Sequence, residues 1–135
     1  GEKLVLFAQE LGLNTCWVAM TYSKIKTAFQ VEKGEKLCIV IALGYGETQG
    51  LPHKSKSMEE VIQLDGPAPE WFQKGVEAAL LAPTAMNQQK FLFRLDKNRV
   101  SVKAGFGFYT KIDMGIVKYH FEIGAGKEHF QWELS

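Results

Sequence analysis

Cysteine and histidine are residue types that can carry chemistry without a cofactor, and Cys16 and His120 are the first candidates in this sequence. A nucleophilic cysteine needs a basic partner, and no basic residue stands near Cys16 in the sequence. His120 falls on an apolar helix face, where a histidine is more often part of the core than a catalytic base. The sequence also shows no Ser-His-Asp grouping and no paired carboxylates. The residues alone therefore indicate no nucleophilic or acid–base site.

Polar side chains of another kind gather in two short segments. Lys54 and Lys56 stand one residue apart, and in an extended loop they project to the same side. The alternative is an ordinary solvated basic loop. Thr84, Asn87 and Gln89 follow the helix stop at Ala82-Pro83, where short polar groups also serve to cap the preceding helix. Gly105-Phe106-Gly107 is too weak a signal to predict a phosphate-binding turn.

Composition bounds the class of protein. The chain has 135 residues, of which 46% are hydrophobic and 23% charged, which fits one globular domain. Its formal net charge of +1 gives no electrostatic argument for binding nucleic acid or an acidic membrane. Cys16 and Cys38 form neither a disulfide framework nor a metal-ligand pattern, which predicts a reducing, cytoplasmic location. We expect no signal peptide and no membrane span.

The first third predicts a helix, a turn and a strand. Leu4, Phe7, Ala8 and Leu11 share one helical face, and the intervening apolar residues predict a helix buried nearly all round. Gly12 is placed to end that helix with a positive φ. Asn14 and Thr15 favour a turn before an apolar stretch. Residues 24–33 predict a short helix or turn, and residues 37–43 a strand covered on both faces.

The remainder alternates helices and strands. Ser57 and Glu60 have the spacing of a capping box, and Asp65-Gly66-Pro67-Ala68-Pro69 is the clearest break. A helix through Phe72 and Leu80, a hairpin formed by residues 91–95 and 100–104, a helix capped by Asp113 and a final edge strand at residues 130–134 follow. This order predicts an α+β or three-layer fold with a largely antiparallel sheet.

Several of these segments together resemble the FMN-dependent nitroreductase family. The first helix runs into Gly12-Leu13-Asn14-Thr15-Cys16-Trp17, and an apolar strand ends at Ala42-Leu43-Gly44-Tyr45 before the basic loop. Residues 82–89 resemble the family motif Pro-Ser-x-x-Asn-x-Gln-Pro, with Thr84 in place of Ser and Lys90 in place of the last Pro. The resemblance implies a three-layer α/β/α fold with a mostly antiparallel sheet.

The resemblance also implies a flavin site. Thr15, Cys16, Trp17 and Val18 would line the flavin ring, although a tryptophan packed in the core is the alternative. Lys54 and Lys56 would hold the FMN phosphate as point charges. Thr84, Asn87 and Gln89 would hydrogen-bond the ring and the ribityl chain.

The implied activity is ping-pong hydride transfer, with NAD(P)H as co-substrate and a nitro-aromatic, a quinone or a similar small molecule as electron acceptor. The partners implied are this acceptor and a second copy of the chain in a homodimer, without nucleic acid or membrane. One alternative is a non-catalytic nitroreductase-like fragment with an incomplete flavin site. Another is a structural module with no relation to flavin.

The order of the two resembling segments is reversed relative to a family member, in which the Asn-x-Gln motif comes first. One interpretation divides the chain into the end of a flavin half at residues 1–64, a linker at 65–69 and a second, degenerate half at 70–135. The missing first half would then precede Gly1. A permuted arrangement is the other interpretation.

Overall fold

A computed structural model describes residues 1–23 and 29–133 of the chain. They form two compact units, Gly1–Gly50 and Leu51–Ser135, which are described separately. The first half of the predicted helix or turn at residues 24–33, residues 24–28, and the last residue of the predicted final strand lie outside the described residues. Within the part of the chain that the structure describes, no helix has the length and apolarity needed to cross a membrane.

Residues 1–23 and 29–50 of the first unit form one helix and one pair of strands. Helix α1 spans Glu2–Glu10, strand β1 Asn14–Val18 and strand β2 Val40–Gly44. The strands pair antiparallel, with Asn14 opposite Gly44 and Val18 opposite Val40. Gly12 has the predicted positive φ, of 75°, directly after the end of α1. A glycine suits this position because it has no Cβ to clash in the left-handed region.

Three predictions about the first unit are wrong. Helix α1 is not buried all round, since only Glu2 and Ala8 of its residues are buried. Strand β2 begins later than predicted, and Ala42 and Leu43 are exposed, so it is not covered on both faces. Asn14 and Thr15 belong to β1 rather than to a turn because they pair with the end of β2. Apolar spacing located the helix and the strand but did not show what would cover them.

The second unit is a four-stranded sheet with two helices. Its elements are β3 (Ile62–Gln63), α2 (Glu70–Leu80), β4 (Phe91–Asp96), β5 (Arg99–Ala104), α3 (Thr110–Ala125) and β6 (Gln131–Trp132). The strand order is β3-β4-β5-β6. The hairpin β4–β5 is antiparallel, whereas β3 and β6 join it as short parallel strands. Each parallel pair is connected through a helix, as a parallel pair requires.

The core of the second unit is built from phenylalanine rings. Phe72 of α2, Phe93 of β4 and Phe121 of α3 are fully buried. The rings of Phe93 and Phe121 stack with centroids 4.8 Å apart, and the ring of Phe72 meets that of Phe121 edge-on at 5.7 Å. Edge-on and stacked ring pairs stabilise a core beyond the area that they bury. These contacts hold both helices against the sheet.

Glycines let α2 and α3 approach closely. A Cβ added to Gly124 of α3 would meet the backbone carbonyl of Lys74 and the methyl group of Ala78. A Cβ added to Gly75 of α2 would lie 2.6 Å from the ring of Phe121. The crossing of the two helices therefore depends on residues without a side chain.

The second unit confirms most of its predicted elements, together with the α+β class. The helix ending at Leu80, the hairpin, the capping box of Ser57 and Glu60 and the edge strand are present. The sheet is mixed, with its longest pairing antiparallel. The predicted linker at residues 65–69 lies between β3 and α2, inside the second unit, and the boundary between units follows Gly50.

The predicted role of Asp113 as a helix cap is wrong. Helix α3 begins at Thr110, three residues before Asp113. Its N-cap is Tyr109, which has a left-handed conformation with φ of 58°. Asp113 therefore lies inside the first turn and is buried. A carboxylate in this turn is favoured by the partial positive charge at a helix N-terminus.

Candidate functional site

The residues predicted to contact flavin fall into two groups, one in each unit. Thr15, Cys16, Trp17 and Val18 lie consecutively in β1 of the first unit. The other group consists of residues from two loops of the second unit: Lys54, Lys56, Thr84, Asn87 and Gln89. The structure brings this second group together through direct hydrogen bonds.

In the first group, Trp17 is anchored to the start of α1. Its indole Nε1 donates to Oε2 of Glu2 at 3.2 Å, and Glu2 is buried. A Cβ on Gly1 would clash with the ring of Trp17. Asn14, at the other end of β1, accepts a hydrogen bond from the Gly46 N–H at 2.9 Å and so holds the loop after β2. Successive side chains of this strand point to opposite faces, so Cys16 is exposed whereas Trp17 is half-buried.

In the second group, residues 84–89 form a tight loop with an unusual backbone. A single turn of 3₁₀ helix, Ala85–Asn87, lies within it. Met86, Asn87 and Gln89 all have positive φ values, of 52°, 50° and 42°. The Thr84 hydroxyl accepts a hydrogen bond from the Gln89 N–H at 3.0 Å and closes the loop. Non-glycine residues adopt this conformation at a cost, so the surrounding contacts must hold it in place.

Gln89 joins this loop to the basic loop. The residue is only 3% exposed. Its Oε1 accepts from the Lys56 N–H at 2.9 Å, while its Nε2 donates to the Lys54 carbonyl at 2.8 Å and to Asn87 Oδ1 at 2.8 Å. Asn87 Nδ2 donates to the same Lys54 carbonyl at 2.9 Å. All the hydrogen-bonding groups of a buried amide are expected to be satisfied in this way.

The two lysines play different parts. The ammonium of Lys56 donates to the Gln89 carbonyl at 3.0 Å and so acts as a second link between the loops. Lys54 contributes its backbone carbonyl to the network, and its side chain is exposed. Of the two cations, Lys54 is therefore the one presented to solvent. A solvent-exposed ammonium on a fixed backbone is suited to meet a phosphate.

Residues near these loops add further contacts that the sequence did not indicate. The Ser55 hydroxyl donates to the Leu80 carbonyl at 3.1 Å, and Lys90 Nζ donates to the Phe106 carbonyl at 2.8 Å. His53 Nε2 lies 3.4 Å from the Leu81 carbonyl oxygen. The other ring nitrogen, Nδ1, is buried and has no hydrogen-bond partner among the described residues. The pKa of Glu59 is lowered, first by a hydrogen bond from its own backbone and then by one from Ser57.

Asp113 and Gln88 complete the arrangement. Asp113 Oδ1 accepts from the Ala85 N–H at 3.0 Å, and its Oδ2 accepts from Gln88 Nε2 at 2.6 Å. The sequence does not indicate these roles, because Asp113 has the pattern of a helix cap and Gln88 is a variable position of the resembling motif. The signal available in the sequence was the place of Gln88 between Asn87 and Gln89. Across residues 1–23 and 29–133, no cluster of His, Cys, Asp or Glu could hold a metal ion.

A scan against protein families matches residues 1–125 to a family described as "Putative TM nitroreductase". The chain belongs to this nitroreductase family. The match spans the first unit and the second unit as far as residue 125, and it confirms the resemblance on which the predicted site rests.

A solved structure shares the fold of this chain. It is the crystal structure, at 2.00 Å resolution, of a Thermotoga maritima protein described as "a putative nitroreductase". The TM-score is 0.70 and the sequence identity is 24%. The similarity covers 92% of this chain and 51% of that one, so the chain spans about half the length of the solved relative. A search of curated protein sequences found no match.

Proposed function

We propose that the whole protein is an FMN-dependent oxidoreductase that uses NAD(P)H as co-substrate and passes electrons to a nitro-aromatic, a quinone or a similar small molecule. The observation that carries the proposal is the joined pair of loops at residues 54–56 and 84–89, because five residues predicted from a flavin-site resemblance meet there. Family membership supports the same class of activity.

The residues of this loop pair fit a phosphorylated flavin in two respects. An exposed ammonium at Lys54 provides a positive charge on a backbone that Gln89 and Asn87 hold in place. Asn87 is exposed beside it, and the tight loop offers polar groups at the surface. When bound, FMN would supply the hydride acceptor and donor chemistry that side chains lack.

The contribution of the protein would be binding and orientation. Lys54 would neutralise the phosphate, Lys56 would keep the two loops together, and Thr84, Asn87 and Gln89 would fix the polar edge of the site. A fixed backbone is expected to lower the entropic cost of ordering these groups when the ligand binds. The flavin contacts predicted for Thr15, Cys16, Trp17 and Val18 of the first unit stay a separate prediction.

A non-catalytic nitroreductase-like scaffold is the second candidate, and one observation favours it. Both ends of the Asn87 amide and the whole Gln89 amide already form hydrogen bonds within the loops. A ligand would have to use the remaining groups or displace these bonds. The division into a flavin half and a degenerate copy, the homodimer and the cytoplasmic location also remain proposals.

Titration of flavin fluorescence with purified protein tests the proposal. We expect wild-type protein to bind FMN and Lys54→Ala to raise the Kd about two- to fivefold, because the variant removes an exposed charge from the phosphate. Lys103→Ala is the matched control, since Lys103 is an exposed lysine of β5 outside the two loops. Equal affinities for the two variants would remove Lys54 from the site.

Oxidation of NADH or NADPH with a quinone acceptor then separates the two candidates. Turnover that requires added FMN supports the oxidoreductase. Wild-type protein that binds FMN but shows no turnover with either nucleotide supports the scaffold. Protein that binds no FMN at all contradicts the flavin site in this chain.

A further inference from the structure

Helix α3 and the 84–89 loop of the second unit meet at one buried carboxylate. Asp113 is 5% exposed and lies in the first turn of α3. Its two oxygens accept hydrogen bonds from two positions of the 84–89 loop, the Ala85 N–H and the Gln88 side-chain amide. The arrangement is independent of the bonds that link this loop to Lys54 and Lys56.

Gln88 extends the contact to a third region. Its Nε2 donates both to Asp113 Oδ2 at 2.6 Å and to the Phe108 carbonyl at 2.8 Å. Gly107 lies so close to Gln88 that a Cβ there would clash with the Gln88 Oε1 atom. The amide therefore fills the space between α3 and residues 105–109, and the Asp113 carboxylate and the Phe108 carbonyl together determine which way that amide faces.

A buried carboxylate is costly unless its oxygens are paired. Bonds from N–H donors to an ionised carboxylate are also stronger than neutral hydrogen bonds. Asp113 can therefore hold the 84–89 loop in the positive-φ conformation of Met86, Asn87 and Gln89, a conformation that is unfavourable by itself.

We infer that Asp113 is the positioning residue of the candidate flavin site, acting through Ala85 and Gln88 to fix the loop that carries Thr84, Asn87 and Gln89. This inference rests on the proposed function. Asp113 does not touch the cofactor in this account. Its contribution to FMN affinity is the preorganisation of polar groups that would otherwise have to be ordered when the ligand binds.

Asp113→Asn tests the inference with almost no change of shape. The new Oδ1 still accepts from Ala85, but the new amide nitrogen faces the amide nitrogen of Gln88. Either the bond to Gln88 is lost or the Gln88 amide turns and leaves the Phe108 carbonyl. We expect the Kd for FMN to rise about tenfold, the usual size of one lost hydrogen bond.

The double variant Gln88→Glu, Asp113→Asn provides the rescue. A glutamate at position 88 accepts from the asparagine at 113, so the bridge to α3 forms again with the charge on the other side. We expect this double variant to bind FMN more tightly than Asp113→Asn alone. The bond to the Phe108 carbonyl is not restored, so recovery should be partial.

Val117→Ala separates positioning from stability. Val117 is fully buried in the same helix and is absent from the loop network. We expect it to lower the Tm without changing the Kd for FMN, measured well below the Tm of every variant. Amide hydrogen exchange at Ala85 and Gln89 gives a second readout, and we expect it to be faster in Asp113→Asn only.

The outcomes distinguish the two claims. Wild-type protein that binds no FMN contradicts the proposed function, and the cofactor role of Asp113 falls with it. If wild-type protein binds and Asp113→Asn binds equally well, the positioning role alone is overturned. An equal rise of the Kd in Val117→Ala and Asp113→Asn, without rescue by the double variant, would also overturn it.

Discussion

The two units contain similar apolar residues, but these are buried in the second unit and exposed in the first. In the second unit, Phe72, Phe93 and Phe121 are fully buried between two helices and a four-stranded sheet. In the first, Phe7 and Leu11 belong to a regular apolar helix face yet are 55% and 58% exposed. The described residues of the first unit form a two-stranded sheet, and such a sheet is marginally stable in isolation. Apolar spacing thus shows where a helix forms, whereas burial depends on what faces it.

The largest expected effect compares the same substitution in both units. Phe121→Ala should lower the free energy of unfolding by about 3–5 kcal/mol, because it leaves a cavity among stacked rings. Phe7→Ala should change it by no more than about 0.5 kcal/mol, since the ring is half-exposed. Urea unfolding followed by circular dichroism measures both. Similar losses for the two variants would show that Phe7 is covered in solution.

The next effect tests the close helix crossing of the second unit. Gly124→Ala places a methyl group against the Lys74 carbonyl and should cost about 1–3 kcal/mol through overpacking. Gly115→Ala is the matched control in the same helix, because a Cβ there meets nothing within 4 Å. This control should stabilise the protein by about 0.5–1 kcal/mol. A stabilised Gly124→Ala would contradict the packing of α2 on α3.

A smaller effect compares one tryptophan bond in each unit. Trp17 donates to Glu2 at 3.2 Å, and Trp132 donates to Glu122 at 2.9 Å. Trp17→Phe and Trp132→Phe keep an aromatic ring but remove the donor, so each should cost about 1 kcal/mol. Hydrogen exchange resolved by residue should show faster exchange in the unit that carries each substitution. If Trp132→Phe alone lowers the free energy of unfolding, the hydrogen bond of Trp17 does not stabilise the first unit.

The smallest effect concerns an exposed ion pair of α2. Lys74 Nζ lies 2.7 Å from Glu70 Oε1. The hydrogen bond from Lys74, and to a smaller extent its positive charge, lowers the pKa of Glu70 below the usual 4.5. The stabilisation is therefore present near neutral pH and is lost as the pH falls through the lowered pKa. The Tm of Glu70→Gln should differ slightly from that of wild type at pH 7 and should match it in acid.

The control for this pair is Asp65→Asn, which removes an exposed carboxylate from a loop. Added salt should remove the small difference caused by Glu70→Gln at pH 7, because exposed pairs are screened. A difference that instead grows as the pH falls below 4.5 would contradict the direction of the Glu70 pKa shift.

Much of the second unit could be predicted from local signals. Period-two alternation located the β4–β5 hairpin, and helical spacing located α2. The parallel pairings of β3 with β4 and of β6 with β5 could not be predicted in this way, because each covers only two residues. Their positions depend on the connecting helices, α2 between β3 and β4 and α3 between β5 and β6. In the first unit, the strand identity of Asn14 and Thr15 depended on pairing with a distant segment.

The candidate site could be predicted only in part, because some of its contacts join segments that are distant in the sequence. The family resemblance selected Lys54, Lys56, Thr84, Asn87 and Gln89, and the structure joins them. It did not predict Asp113, which looks like a helix cap until the true start of α3 is known. A residue whose role is to hold another residue leaves no spacing pattern in the sequence, because its partners are close only after folding.

Backbone NMR spectra of the protein titrated with FMN test the central claim most directly, because they locate the ligand in one unit or the other. We predict chemical-shift changes at the amides of Lys56, Ala85 and Gln89, with a saturation curve that gives a single Kd. Changes that avoid residues 54–56 and 84–89, or the absence of any change at saturating FMN, would contradict the assignment of the flavin site to this pair of loops.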